Sequence, residues 1–173
     1  MLKRENIFTC DAKYDSIIDF SNEVKDNDFS INQIPIIIGE TVINAIHLQK
    51  ITKNRGAFIE HFLALEWPSS IMDITELDKN IEGILLSSEK KCNIKVVRQR
   101  YVILCLFGKC FHENVIKTLI SSASFTFSLL LPVVIDTDNG RIYHVKIPTN
   151  NYFAKGRAIT DMQEKVMRFL YKT

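Results

Sequence analysis

The stretch VVIDTDNGRIYHVKIP, residues 133 to 148, gathers Asp136, Asp138, His144 and Lys146 within a few positions. Carboxylates beside a lysine are what metal-assisted hydrolysis needs: acids to hold a divalent ion and a cation to assist the attacking group. The same stretch also has a plainer reading. Asp138, Asn139 and Gly140 are turn formers that tolerate positive φ, so VVID and RIYHVKI are expected to pair as a hairpin. A single acid near such a turn more often shapes the turn than binds an ion.

Other reactive side chains are sparser. Cys105, Cys110 and His112 lie close together but lack a second ligand pair of zinc spacing. Nothing adjacent would orient the His112 imidazole toward the Cys110 thiol for nucleophilic chemistry. His47 and His61, the latter beside Glu60, read as core or surface histidines. No catalytic residue is assigned, and no complete nucleotide, metal or catalytic motif calls for a cofactor.

Over those sixteen residues the hairpin resembles the strand-turn-strand centre of PD-(D/E)xK nucleases. There, an Asp on one strand and an acidic-x-Lys triplet on the next bind a divalent metal. Lys146 matches the lysine. His144 stands in the acidic slot, and Val133 follows Pro132 where the first Asp belongs. The resemblance therefore implies a relative with decayed metal ligands that still touches nucleic acid.

A basic group is better supported. Arg98 and Arg100 share strand parity, and Arg141, Lys146, Lys155 and Arg157 follow with Tyr143 and Tyr152 interleaved. Aromatics among cations suit stacking on single-stranded nucleic acid. They equally suit a protein interface anchored by Tyr and Arg, or a sheet whose cations keep its edges from pairing with other chains.

Several elements must position these groups. Asp11 to Lys25 has helical spacing, and DNDFSINQIPIII suits a short buried strand. Glu40 to Ile51 is mixed, since Val42, Ala45, Ile46 and Gln49 fit a helix while Val42, Ile46 and Leu48 fit a strand, and the helix is favoured. GAFIEHFLALEWP fits a helix through Phe58, Ile59, Phe62, Leu63 and Leu65. Thr75 with Asp78 resembles a capping box that opens a helix to about Ser88. Then IKVVRQRYVILCLF reads as a strand, His112 to Ser121 as a helix, FTFSLLLPVVID as a strand with Pro132 at an edge or bulge, and ITDMQEKVMRFLYK as a closing helix. The expected fold is α+β, a single domain over residues 1 to 173. It has a helical N-terminal half packed on a small antiparallel sheet and a C-terminal helix.

With 173 residues, 46% of them hydrophobic and 24% charged, the chain can bury one core. The N-terminus lacks the apolar run of a secretory signal and no stretch could span a bilayer, so a cytoplasmic location away from membranes is expected, with four reduced cysteines. The net charge of +2 conceals a polarity. Residues 1 to 89 carry 8 basic and 15 acidic side chains, and residues 90 to 173 carry 14 and 5. Such asymmetry can serve a nucleic acid, an acidic partner or head-to-tail contact between copies. Together these features predict a nonenzymatic binding protein of the adaptor, immunity or regulatory type that works through protein contact. A nucleic-acid-binding relative of nucleases is the alternative.

Overall fold

The computed structural model describes residues 6–53, 55–125, 129–148 and 156–173. Its frame is one mixed sheet in the order β1-β8-β7-β5-β4-β3-β2, with β6 paired to β7. The strands are β1 (Ile7–Asp11), β2 (Ser30–Ile38), β3 (Thr41–Lys53), β4 (Ala57–Trp67), β5 (Val97–Gly108), β6 (Ser124–Phe125), β7 (Leu129–Asp136) and β8 (Arg141–Val145). The helices are α1 (Ile17–Lys25), α2 (Leu77–Lys91), α3 (Glu113–Ser121) and α4 (Gly156–Phe169). Strands β2, β3 and β4 form an antiparallel meander, whereas β4, β5 and β7 run parallel.

This overturns the expected helical N-terminal half on a small antiparallel sheet. Residues 41–53 and 57–67, read as helices, are the long strands β3 and β4. The error has a physical source. β4 is buried on both faces, so Phe58 to Leu65 is apolar almost without interruption, and such a run satisfies a helical stripe as well as an interior strand. The two-residue turn of Gly39 and Glu40, with Gly39 at φ +59°, closes β2 onto β3.

The other helices form near where spacing placed them, but the first is shorter than the expected Asp11 to Lys25: Asp11 ends β1, and α1 begins only at Ile17. Ser16 caps α1 by accepting from the Ile18 N–H at 3.2 Å, and Ile17, Phe20, Ser21 and Val24 turn inward. α2 starts differently from the expected capping box: Thr75 donates to the Asp73 carboxylate through both its N–H and its hydroxyl, and the helix opens at Glu76 with no side-chain cap. Pro132 is not at the sheet edge. It pairs with Leu104 of β5, and on its other side falls between the β6 ladder at Leu129 and Leu130 and the β8 ladder from Val134 onward. That gap in the neighbouring ladders is a place where a residue without an N–H is tolerated.

Helices cover both faces. On one, Phe62 of β4 meets Phe20 of α1 and Phe169 of α4 edge-on, with ring centroids 5.6 and 5.8 Å apart. On the other, Leu77 and Ile81 of α2 and Val115 and Leu119 of α3 pack on Leu63, Leu65, Leu104 and Leu106. Each fully buried ring or branched chain contributes about 1.5–3 kcal/mol. All four cysteines are free thiols, with Cys105 inside the core. Among the described residues, no helix is long and apolar enough to cross a membrane.

Candidate functional site

The parallel strands give the molecule two chemically different ends. At the start of β4 and β5, the turn after β3 lies against the segment before β5: the Ala57 N–H donates to the Val96 carbonyl at 2.9 Å. A Cβ on Gly56, which has φ +116°, would stand 3.2 Å from the Arg98 Cβ. Gly56→Ala is therefore expected to destabilise the fold by about 1–3 kcal/mol, read as a lowered denaturation midpoint.

That contact joins two basic runs, KITKNRG and KKCNIKVVRQR. Lys53, Arg55, Lys95 and Arg98 are exposed here, and α2 ends here with exposed Lys90 and Lys91. None of these six pairs with a described carboxylate. Arg157, exposed one helical turn ahead of Asp161 on α4, adds to them.

Acids occur at this end too: Asp26 and Asp28, after α1 and beside Lys50, and Glu164 on α4 are exposed, whereas Glu60, Glu89 and Asp161 are tied to neighbouring side chains. Glu89 of α2 takes the Arg100 guanidinium at 2.7 Å. Glu60 of β4 and Asp161 of α4 share the Lys165 ammonium at 3.0 and 3.3 Å, and both touch the Tyr101 hydroxyl, at 2.8 and 2.7 Å. A phenol has one proton to give, so one of its two contacts needs a carboxyl proton. Burial pushes Glu60 up from the ordinary carboxylate range, the direction such sharing requires. Burial alone would lower Lys165, but the Glu60 and Asp161 carboxylates outweigh it and hold the amine protonated.

Behind Arg100 lies a second polar group, facing α2. His47 and His61 share a ring-to-ring hydrogen bond of 2.9 Å, and both are buried. Burial lowers His47 to about 4; burial, with His47 and Arg100 nearby, lowers His61 to about 3. Both rings are neutral at pH 7, so the 3.7 Å approach of Glu89 to His61 is not an ion pair. The buried nitrogens Gln49 Nε2 and His61 Nε2 have no hydrogen-bond partner.

The residues expected to share one basic face divide. Arg98, Arg100 and Arg157 belong to the basic end. Arg141 lies level with the far end of β5, about 33 Å from Arg98, where Asp11 and Thr9 take its guanidinium at 2.8 and 2.7 Å. Tyr143 is half-buried against the α2 side of the core. Lys146 is exposed past β8 and lines a separate cleft of about 950 Å³ beside α3. Tyr152 and Lys155 lie outside the described residues. Sequence reasoning missed Lys53, Arg55, Lys90, Lys91 and Lys95. Both runs were visible as sequence, but only the β4–β5 pairing sets them side by side.

The hairpin at 133 to 148 is present as β7 and β8. The Asp136 carboxylate accepts from the Asp138 N–H at 3.0 Å and from the Asn139 N–H and Nδ2 at 3.3 and 2.6 Å. Its oxygens are occupied in shaping the turn. Among the described residues, no group of three or more His, Cys, Asp or Glu is arranged to hold a metal ion. The chain matches no family model, no curated protein and no solved structure, so any reading of its function rests on its own residues.

Proposed function

We propose that this chain is a nonenzymatic binding protein whose basic end takes the phosphate backbone of a nucleic acid. The observation that carries the reading is the unpaired charge there: six exposed cations that form no ion pair with a described carboxylate, while Glu60, Glu89 and Asp161 are bound to neighbouring side chains. A backbone of regularly spaced phosphates matches cations spread over a turn, a helix end and a strand start. No aromatic side chain among the described residues stands out from this surface, so the reading rests on charge and predicts little sequence preference.

Fluorescence anisotropy with labelled single-stranded and duplex oligonucleotides tests it. With about five or six phosphates engaged, log K is expected to fall with log salt at a slope of about −5, losing roughly a thousandfold between about 50 and about 200 mM. Lys95→Glu with Arg98→Glu should abolish binding, while Arg141→Glu at the far end should leave it unchanged. No binding at low salt, or equal losses from both sites, overturns the proposal. So does binding confined to an acidic protein.

A protein-contact reading is favoured by a different observation at the opposite end. Ile18, Ile37 and Val42 are 61%, 56% and 63% exposed beside one cleft, an apolar grouping that water does not favour.

A further inference from the structure

At the finishing ends of β4 and β5, a cleft of about 850 Å³ opens between the start of α1 and the β2–β3 meander. Asp15 and Glu66 line it, Asp19 follows the lining residue Ile18 on α1, and Glu40 is exposed in the β2–β3 turn at the same end. Glu66 accepts from Asn44 at 3.0 Å, and none of these four carboxylates forms an ion pair with a described cation. Lys109 is the one basic residue in the lining. The molecule is thus an electric dipole along its strands, acidic and concave at one end, basic and loop-built at the other.

The apolar surface follows the same division. Ile18 lines the acidic cleft, Ile37 and Val42 are exposed together on the adjoining β2–β3 hairpin, and Val96 and Val97 are exposed within the basic end at 64% and 39%. Each end thus carries exposed apolar side chains together with uncompensated charge of one sign, and the signs are opposite. From this double match we infer that the occupant of the acidic cleft is the basic end of a second copy of this chain. The Val96–Arg98 segment and the Arg55 turn of one copy would enter between α1 and β2 of the next.

Two different patches meeting in this way make a heterologous contact, which propagates into chains or closes into rings instead of stopping at a symmetric dimer. It uses the same cations as the proposed nucleic-acid contact, so a polyanion and a second copy compete for them. The self-contact itself does not depend on nucleic-acid binding.

Sedimentation velocity tests it with two variants and their mixture. Asp15→Lys with Glu66→Lys spoils the cleft, and Val96→Ser with Arg98→Ser spoils the basic end without creating a charge that the altered cleft could bind. The parent should form concentration-dependent oligomers at about 50 mM salt that weaken at least tenfold at about 500 mM. Each variant alone should be monomeric. Mixed one to one, they should form a capped heterodimer and nothing longer, since each supplies the end the other lacks. A parent that stays monomeric, a variant that still assembles alone, or a mixture that stays monomeric overturns the inference. The cleft variant keeps the basic end, so loss of its nucleic-acid binding with intact oligomers in the parent would count against the proposed function alone.

Discussion

Lowering the pH from 7 to 5 should cost the fold about 4 kcal/mol through His47 and His61 alone. Both rings titrate well below the ordinary value of 6.5 when folded, at about 4 and about 3, chiefly because burial disfavours the charged imidazolium. Unfolding exposes them to water and restores that value. Below pH 6.5 the unfolded chain therefore binds protons that the folded chain refuses, and stability falls. The loss continues to about pH 4 for His47 and about pH 3 for His61. At pH 5 the solution is some 1.5 units below the unfolded value of 6.5, which amounts to roughly 2 kcal/mol per ring. Urea denaturation at the two pH values measures this, with His47→Gln/His61→Gln as reference because glutamine does not titrate. If parent and double variant lose the same stability between pH 7 and 5, the buried pair is not what the acid attacks.

The second large effect is expected from Lys165→Met. Among the described residues, Lys165 is the only cation touching Glu60, whose side chain is almost fully enclosed between β4, Tyr101 and α4. Removing one partner of a buried pair leaves the other charge uncompensated, at a cost of about 3–5 kcal/mol. Glu60 can escape by taking up a proton, and burial already pushes its pKa in that direction. A carboxyl whose folded pKa is raised gives stability that is present at low pH and lost as pH climbs through the folded value. The penalty of Lys165→Met, measured against the parent at each pH, should thus be greater at pH 8 than at pH 5. Adding Glu60→Gln should recover most of it. A penalty independent of pH, or no recovery in the double variant, would mean that the packing of the lysine stem matters more than its charge.

The two buried groups also bear on the charge layout. Glu60, Glu89 and Asp161 are bound to Lys165, Tyr101 and Arg100, and Lys53, Arg55, Lys95 and Arg98 form no ion pair with a described carboxylate. A chain with nearly balanced totals, 22 basic and 20 acidic residues, can thereby show strongly unequal ends.

Much of this was legible in the residues themselves. Local chemistry determined α1, α3, α4, the body of α2, the strand character of β5 and the Asp138–Gly140 hairpin, because caps, turn formers and amphipathic spacing act within a few positions. It also showed the charge asymmetry between the two halves of the chain. Only the tertiary structure decided that residues 41–53 and 57–67 are strands, since a segment enclosed on both faces loses the alternation that marks a strand. It alone turned an asymmetry between halves of the sequence into one between ends of a sheet. The parallel pairing of β4 with β5 brings Arg55 and Gly56 beside Val96 and Arg98, some 40 positions later, and the β5–β7 and β7–β8 pairings carry Arg141 to the opposite end. Strand order and direction depend on which faces bury one another across the whole chain, and no local spacing encodes that.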